Sequence, residues 1–355
     1  MKKHAIIPIF IPHKGCPNDC VFCNQRKITA RAADITATDI HNTVETYMST
    51  LGAMDIDTIE LSFFGGSFTG IPMEEQRQYL AIAKEYKDSG VIQKIHLSTR
   101  PDYINIEILD NLKAYGVDVI ELGVQSFADP VLKASGRGHD AACVYEACKL
   151  IKSYGFTLGI QLMIGLPKDN LKYDIYSAKE AVSQAPDIAR LYPTVVIRDT
   201  ALWDMMECGQ YIPMNEDDAV VRTAAMYKIL TDAGINVIRV GLKSSDIISD
   251  EKNTAGTFHP AFRQLVEGFL AKESLEKQIN KMYPNIKNFE PGFDHPCPTV
   301  VFVANTKCYN NMFGHGGKNR KYFENEYTRL NIKYMKDVDA GVSLADNEYL
   351  VLNLE

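Results

Sequence analysis

The sequence has no long hydrophobic run, and none of its apolar stretches approaches the roughly 18 residues that a membrane-spanning helix needs. Residues 5–12 follow two lysines, as the apolar part of a signal peptide would. This stretch is short, contains two prolines and is not followed by a small-residue cleavage site. We therefore expect a cytoplasmic protein with no membrane partner.

An excess of charge of one sign is also missing. The 355 residues include 38 Lys and Arg and 45 Asp and Glu, which gives a formal net charge of −7. A chain with this balance does not bind nucleic acid indiscriminately, although a local basic patch still can. The hydrophobic share of 46% and the charged share of 23% are ordinary for globular proteins, so we expect neither disorder nor a fibrous fold.

Cysteine is too sparse for a disulfide scaffold, since the chain has only eight. A chain of this length buries about three quarters of its unfolded surface and needs no disulfide to stabilise it. Three of the eight, Cys16, Cys20 and Cys23, nevertheless fall close together. In a chain without a secretion signal, this grouping indicates a metal site or catalysis.

Two periodicities alternate along the first two thirds of the chain. Strand-like apolar runs at 6–11, 58–64, 94–98, 119–124, 157–164 and 191–197 are separated by helix-like stretches at 40–51, 74–87, 106–115, 141–154 and 173–184. Alternation with short connections predicts parallel βαβ units, and strands that are apolar throughout predict a sheet covered by helices. Six such strands predict an α/β fold with a partial (β/α)6 TIM-like barrel.

The composition changes after Gly241. A helix-like stretch at 217–233 and a strand-like run at 237–240 come before the change, and the polar segment 244–256 is typical of a linker or loop. A charged amphipathic helix follows at 260–283, and then strand-like runs at 299–304, 329–334 and 349–352. We predict a barrel over residues 1–245 and a small C-terminal α+β subdomain over residues 246–355.

The cysteine triplet lies in a segment of Gly, Pro, Asn and Asp, so it forms a loop that leaves the first predicted strand. A closed zinc site takes four ligands, and ordinary iron–sulfur clusters take four cysteines. Three thiolates leave one iron open for a substrate. The alternatives are a zinc knuckle completed by His13 or another histidine, and three packing cysteines brought together by chance.

The spacing C-x3-C-x2-C, with an aromatic residue before the last cysteine, resembles the signature of the radical S-adenosylmethionine (SAM) superfamily. The resemblance implies a [4Fe–4S] cluster held by Cys16, Cys20 and Cys23, with the amino and carboxylate groups of SAM on the fourth iron. Reductive cleavage of SAM would yield a 5′-deoxyadenosyl radical that abstracts hydrogen from the substrate. The electron would come from a donor such as flavodoxin or ferredoxin.

Further segments that end successive predicted strands resemble the SAM-contacting motifs of that superfamily, and barrels of this type keep their sites at such strand ends. Gly65, Gly66 and Ser67 resemble the motif whose exposed backbone meets the methionine amino group, and two glycines allow close approach. Arg100 is a candidate for a carboxylate or the ribose, because its guanidinium fork suits paired oxygens. A surface salt bridge with Asp102 is the alternative for Arg100.

Two more candidates complete this set. Gln125 ends the fourth strand and could hydrogen-bond SAM or cap a loop. Gly165 ends the fifth strand and resembles the segment whose backbone supports the adenine. We assign no residue to catalysis itself, and we expect His139 mainly to organise a loop.

Longer strings narrow the resemblance to the radical-SAM half of the Elongator catalytic subunit family. They are ELGVQS at 121–126, SGRGH at 135–139, GLP at 165–167 and LYPTVVIR at 191–198. That family modifies wobble uridine in tRNA. Only about 110 residues follow position 245, so we expect no acetyltransferase domain of the kind that family carries. The barrel resembles more loosely the oxygen-independent coproporphyrinogen oxidase group, which acts on a small molecule.

The remaining cysteines and one basic segment complete the set of candidates. Cys143 and Cys148 point about 140° apart on one helix, so we expect them to pack in the core. Cys297 and Cys308 are candidates for an auxiliary cluster, although they lack the C-x2-C spacing that is usual for cluster ligands. In the segment 314–321, glycines stand beside Lys318, Arg320 and Lys321, which is typical of a phosphate or RNA contact, with a solvated hairpin loop as the alternative.

Three hypotheses of function follow. The first is a radical SAM enzyme that acts on RNA, with a tRNA base as the favoured substrate and a basic strip that includes residues 318–321. The second is the same chemistry on a small metabolite, which predicts an enclosed and mostly neutral pocket. The third is a metal-binding module without catalysis.

Overall fold

The computed structural model describes residues 4–11, 15–16, 20–24, 35–243, 252–290, 297–306, 308–337 and 349–352. It divides into two compact units, Met1–Phe258 and His259–Glu355. No helix within the described ranges is long and apolar enough to cross a membrane.

The first unit is built from alternating strands and helices. Its strands are β1 (His4–Ile11), β2 (Thr58–Gly65), β3 (Lys94–Thr99), β4 (Val119–Gln125), β5 (Thr157–Ile164), β6 (Ile188–Pro193), β7 (Val195–Ile197), β8 (Asn236–Val240) and β9 (Thr254–Gly256). Its helices are α1 (Ala37–Leu51), α2 (Met73–Asp88), α3 (Ile106–Ala114), α4 (Asp129–Ala134), α5 (Ala141–Ser153), α6 (Leu171–Ser183), α7 (Ala201–Glu207) and α8 (Glu216–Asp232).

The main sheet has seven strands in the order β1-β2-β3-β4-β5-β6-β8, and every neighbouring pair is parallel. With its helices the sheet forms a curled half-barrel, which confirms the predicted partial barrel. It has one strand more than the six predicted. The seventh strand, β8, is the predicted run at 237–240, which joins the sheet after α7 and α8 have interrupted the simple alternation.

The predicted strand at 191–197 is two strands. Thr194 separates β6 from β7, and its buried backbone N–H donates to the Ile164 carbonyl at 2.8 Å. β7 leaves the main sheet and pairs antiparallel with β9, within the segment that we predicted as a linker or loop. Residues 244–251 of that segment lie outside the described ranges.

The two faces of the strands differ in chemistry. On β2, Ile59, Leu61 and Phe63 are buried and apolar, as expected for the face that packs against the outer helices. The other face of β2, which we call the inner face of the sheet, carries Glu60 and Ser62. The sequence pattern misses this difference, because single charged residues do not break an otherwise apolar run.

The carboxyl ends of β1 and β2 approach each other too closely for a side chain. Gly65 ends β2 with a φ of +109°, and a Cβ there would lie 2.2 Å from the Ile11 carbonyl oxygen. The next residue, Gly66, donates its N–H to the same oxygen at 3.2 Å. This contact holds the end of β1, the strand that leads into the cysteine loop.

A buried ionic clamp holds the exit of β5. The N–H of Gly165 donates to the Asp169 carboxylate at 2.8 Å, and Arg222 from α8 contacts Asp169 at 2.8 Å and also binds Asp174 on α6. Burial raises the pKa of Asp174 and of Asp169, while Arg222 opposes both shifts. The loop after β5 is therefore tied to two outer helices.

The second unit packs helices on a small parallel sheet. Its helices are α9 (Phe262–Met282), α10 (Tyr309–Phe313) and α11 (Lys318–Glu326), and its strands β10 (Thr299–Asn305), β11 (Asn331–Asp337) and β12 (Tyr349–Leu352) pair in the order β11-β10-β12. Leu275, Ile279, Phe302 and Phe323 lie in its core.

All three strands predicted for the C-terminal subdomain exist. The alternative of a hairpin loop at 314–321 is wrong, because a 3-10 turn there leads directly into α11. The predicted boundary at residue 245 stays a prediction.

We expect Gly65→Ala to lower the free energy of unfolding by about 3 kcal/mol or more, since it adds a steric clash to a strained φ. Urea unfolding measures the effect. Gly90→Ala is the matched control, because Gly90 has a φ of +78° and a Cβ on it would meet no atom within 4 Å. The control should cost only about 1–2 kcal/mol, the usual cost of the left-handed conformation. Equal costs for the two variants would contradict the close approach.

We expect Arg222→Leu to destabilise the protein by about 3–5 kcal/mol, because it leaves two buried carboxyl groups without their cation. The control is Lys228→Gln on the same helix, which breaks an exposed pair with Asp232 and should cost about 0–1 kcal/mol. Urea unfolding of the two variants compares the losses. A loss for Arg222→Leu no larger than that of the control would show that the clamp contributes nothing.

Candidate functional site

The cysteine loop begins in close contact with the turn that follows β2. Gly15 has a φ of +78°, and a Cβ on it would lie 2.2 Å from the Ser67 carbonyl oxygen. A Cβ on Gly70 would lie 2.2 Å from the Gly15 carbonyl oxygen in turn. Cys16 is therefore held beside the segment 65–70. The cysteine motif and the glycine motif after β2, which the sequence predicted separately, meet here.

The second part of the loop crosses the ends of the later strands. Val21 donates its N–H to the Ser135 carbonyl at 3.1 Å and accepts from Leu202 N–H at 2.7 Å. Phe22, the aromatic residue of the motif, packs against a buried apolar cluster that includes Leu166. The described residues 20–24 thus lie among the segments that follow β4, β5 and β7.

Two arginines lie at the thiols. Arg137, which is buried, donates from Nη1 to Cys20 Sγ at 3.1 Å, and Cys20 is itself buried. Cys16 is partly buried, and burial raises the pKa of its thiol, while the positive charges of Arg100 and Arg137 act to lower it. A thiolate at this place would therefore meet two cations that compensate its charge.

Three thiols on one loop are a donor set that suits an iron–sulfur cluster with one open iron. Among the described residues, no three His, Cys, Asp or Glu side chains converge to hold one metal ion. A cluster does not require such convergence, because each of the three thiolates binds a different iron. His13, the ligand that the zinc alternative named, lies outside the described residues.

Arg100 is buried and only 3% exposed. Its Nε and Nη2 donate to the Asp102 carboxylate at 2.9 and 2.8 Å, and Nη2 also donates to the Arg137 carbonyl. The pair with Asp102 exists, but it is not the surface salt bridge that we considered as the alternative. Nη1 of Arg100 is buried without a hydrogen-bond partner in the described part of the chain, which leaves one donor for a ligand.

Gly66 and Ser67, which follow β2, already use their polar groups within the protein. The N–H of Gly66 is already bonded to Ile11. Ser67 is completely buried, and its hydroxyl bonds the Thr99 hydroxyl at 2.8 Å and accepts from the Arg100 N–H at 3.3 Å. The Ser67 side chain therefore links the end of β2 to the end of β3.

At the ends of β4 and β5 the backbone takes an unusual conformation, with a positive φ. Gln125 has a φ of +70°, at a bulge where the pairing of β4 with β5 shifts, and its Oε1 accepts from Gln161 Nε2 at 3.1 Å. Gly165 has a φ of +84°, and its carbonyl accepts from the Tyr211 hydroxyl at 2.6 Å. The Gln125 side chain and the Gly165 backbone are thus each held by a neighbour, and the assignment of both residues to SAM stays a prediction.

His139 lies close to the pair formed by Arg100 and Asp102. Its side chain has no exposed surface, and Nδ1 is 3.9 Å from Asp102 Oδ1. Burial, with Arg137 next in effect, lowers the pKa of His139 to about 4, so the ring is neutral. It lines an open pocket of about 450 Å³ with Asp129, Lys133, Gly138 and Asp140. Neither ring nitrogen has a hydrogen-bond partner in the described part of the chain, so the predicted role of His139 in organising a loop stays a prediction.

The inner face of the sheet carries an ionic network that the sequence did not reveal. His96 Nδ1 lies 2.6 Å from Glu60 Oε1, and Arg190 Nε lies 2.9 Å from Glu121 Oε2. Burial alone would raise the pKa of Glu60, but hydrogen bonds from His96 and Ser62 lower it to about 2. The Arg190 guanidinium stacks 4.8 Å over Phe64. The interior of the half-barrel therefore carries paired charges.

The sequence also missed Arg137, although it lies in the string SGRGH. The only signal was its place between two glycines, Gly136 and Gly138, which take φ values of +66° and +75°. Of the other cysteines, Cys148 and Cys308 are buried in the core and Cys143 is partly buried. In the described ranges Cys297 and Cys308 belong to no ligand group for a metal ion.

Two family models match the chain. One, described as the Radical SAM superfamily, matches residues 10–177, and the other, described as the Radical_SAM C-terminal domain, matches residues 186–272. Together they span more than two thirds of the chain.

Curated relatives and a solved structure are similar to parts of the chain. A tRNA uridine(34) acetyltransferase of Methanocaldococcus infernus is 29% identical over 54% of this chain and 41% of its own length. Elongator complex protein 3 of Homo sapiens is 30% identical over 49% of this chain and 36% of its own length. The chain spans about two fifths of the length of these relatives. The archaeal Methanocaldococcus infernus Elp3 with an N-terminal deletion aligns with a TM-score of 0.60 and 21% identity over 83% of this chain and 70% of that chain, which shows the fold alone.

These matches confirm the resemblance to the radical-SAM half of the Elongator catalytic subunit. They also confirm that the protein is an enzyme and that its cofactors are SAM and a [4Fe–4S] cluster. The thiols beside two buried arginines and the glycine-rich strand ends agree with this conclusion. The chain belongs to the radical SAM superfamily.

Proposed function

We propose that this enzyme uses radical SAM chemistry to modify a base in RNA, with tRNA as the substrate class. The observation that carries the chemical part is the cysteine loop, which lies against the ends of the strands with Arg137 donating to Cys20. The support for the RNA part is the similarity to relatives named as tRNA-modifying proteins.

Cys16, Cys20 and Cys23 are the proposed ligands of the cluster. When bound, the cluster would supply the one electron that cleaves SAM into methionine and a 5′-deoxyadenosyl radical. The protein positions the ligands by close backbone contacts on one side, at Gly15, and by the hydrogen bonds of Val21 on the other. Phe22 packs against the cluster that includes Leu166 on that side of the loop. The electron would come from a donor protein such as flavodoxin or ferredoxin.

SAM would lie over the ends of β2 to β5. Gly65 and Gly66 would lie nearest its methionine group, with their backbone held by Ile11. The unpartnered Nη1 of Arg100 offers a donor to a carboxylate or hydroxyl. Gln125 and Gly165, both with positive φ, would contact the nucleoside part. Ser67 would act through Thr99 and Arg100 because its hydroxyl is committed to them.

A basic surface in the second unit suits an RNA backbone. Lys318, Arg320 and Lys321 are exposed on the first turn of α11, after a turn in which Gly314, Gly316 and Gly317 have positive φ. Arg320 is paired with Glu324, and all three side chains are exposed, as groups that contact a phosphate backbone must be. We propose this turn as part of the RNA contact.

The competing hypotheses gain less support. A small metabolite would call for a mostly neutral interior, whereas Glu60, Glu121 and Arg190 make the inner face charged. A binding module without catalysis does not agree with membership of an enzyme superfamily.

The ligand assignment is tested by anaerobic reconstitution with iron and sulfide. We expect four irons per chain and reductive cleavage of SAM in the wild type, and loss of both in Cys20→Ala, because a cluster with two remaining thiolates is not held. Cys208→Ala is the control, since Cys208 is exposed on the surface and should keep both properties. Cleavage that survives Cys20→Ala would refute the assignment.

The substrate class is tested by tRNA binding over a range of salt concentrations. We expect affinity to fall as salt rises, and the double variant Lys318→Gln/Lys321→Gln to bind more weakly with a salt slope reduced by about two, one for each phosphate contact. The control is Lys84→Gln/Lys228→Gln, which removes the same charge from outer helices of the first unit. If wild-type binding does not depend on salt, the RNA proposal fails, and comparison of modified nucleosides in cells with and without the gene then provides an independent check.

A further inference from the structure

The Arg137 side chain directly contacts a proposed cluster ligand. Its Nη1 donates to Cys20 Sγ at 3.1 Å, and its Nη2 donates to the carbonyl of Gly123 at the bulged end of β4. The residue is 6% exposed, so water does not compete strongly for either contact. The guanidinium therefore bridges the strand end and the thiol.

The backbone of Arg137 is fixed as firmly as its side chain. Its N–H donates to the Leu132 carbonyl at 3.1 Å, and its carbonyl accepts from Arg100 Nη2. Arg100 is in turn held by both oxygens of Asp102. The glycines on either side of Arg137, at positive φ, allow the tight turn that presents the side chain to the loop. With the backbone held in this way, the guanidinium cannot move away from Cys20 without breaking its hydrogen bond to the Gly123 carbonyl.

Hydrogen bonds to the sulfurs and the net charge nearby set the reduction potential of an iron–sulfur cluster. A positive donor near a thiolate ligand stabilises the reduced state more than the oxidised state, because the reduced state carries one more negative charge. Arg137 supplies both effects at once, in a buried place where charge interactions are screened least.

We propose that Arg137 is a positioning residue that raises the reduction potential of the cluster through its hydrogen bond to Cys20, and so lets the external donor deliver the electron. One electron passes from a low-potential one-electron donor to the [4Fe–4S] cluster, whose charge falls by one, and no bond to Arg137 forms or breaks. This inference rests on the proposed assignment of the cluster to Cys16, Cys20 and Cys23.

Redox titration of the reconstituted protein, followed by the electron paramagnetic resonance signal of the reduced cluster, tests the proposal. We expect Arg137→Gln to keep four irons but to lower the ratio of reduced to oxidised cluster about tenfold at a fixed applied potential. For a one-electron couple this ratio corresponds to a shift of about 59 mV to lower potential. Arg137→Lys keeps the charge and one donor and should recover most of the shift.

Arg77→Gln is the matched control, because Arg77 lies on α2 and bonds the Asn111 side chain at 3.2 Å in the outer helix layer. It should leave the midpoint potential unchanged. A midpoint of Arg137→Gln equal to that of the wild type, with four irons bound, would overturn the proposal while leaving the proposed function intact. A wild type that binds no cluster would overturn both, so the two failures are distinguishable.

A second measurement needs no variant and covers the case in which Arg137→Gln does not fold or loses iron. In wild-type protein grown with 15N-labelled arginine, electron–nuclear double resonance of the reduced cluster should show a coupling to 15N, since a guanidinium nitrogen lies at a ligand sulfur. The absence of any 15N coupling would overturn the proposed hydrogen bond.

Discussion

The close approach of the first two strand ends is the constraint on which the site depends. Where Gly65 meets the Ile11 carbonyl there is no room for a Cβ, and a second contact of the same kind joins Gly15 to the turn at 67–70. These backbone contacts set where the cysteine loop leaves the sheet. The other groups of the site come from later strands, and they meet the loop only because its origin is held in this way.

Charge in the buried part of the half-barrel is arranged in layers. Glu60, His96, Glu121 and Arg190 form a paired network on the inner face, and Arg100 with Asp102 lies at the strand ends. Arg137 then faces the thiols. Each carboxylate is paired with a cation or a hydrogen-bond donor, as burial of ionic groups requires. Such pairing adds little to stability by itself but holds side chains in one orientation, which a site for a reactive radical needs.

Much of the fold followed from periodicity. Strand–helix alternation predicted a partial parallel barrel, and β1 to β5 appear within a few residues of their predicted bounds. The seventh strand was not counted, because two helices interrupt the alternation before it. The break at Thr194 was missed as well, because apolar runs on either side of a buried threonine look continuous. Short helices such as α4 and α11 carry too few turns to give a clear period.

The sequence by itself indicated the family, because the spacing of three cysteines is a local property that resembles a known signature, and the cofactors followed from that resemblance. It also placed the SAM candidates at strand ends, since parallel strands end at one edge. The tertiary structure alone decided which polar groups meet. The contact of Arg137 with Cys20 joins residues 117 positions apart, and the pair of Arg190 and Glu121 joins strands β4 and β6. Packing of distant segments creates such contacts, and no local pattern of residue types specifies them.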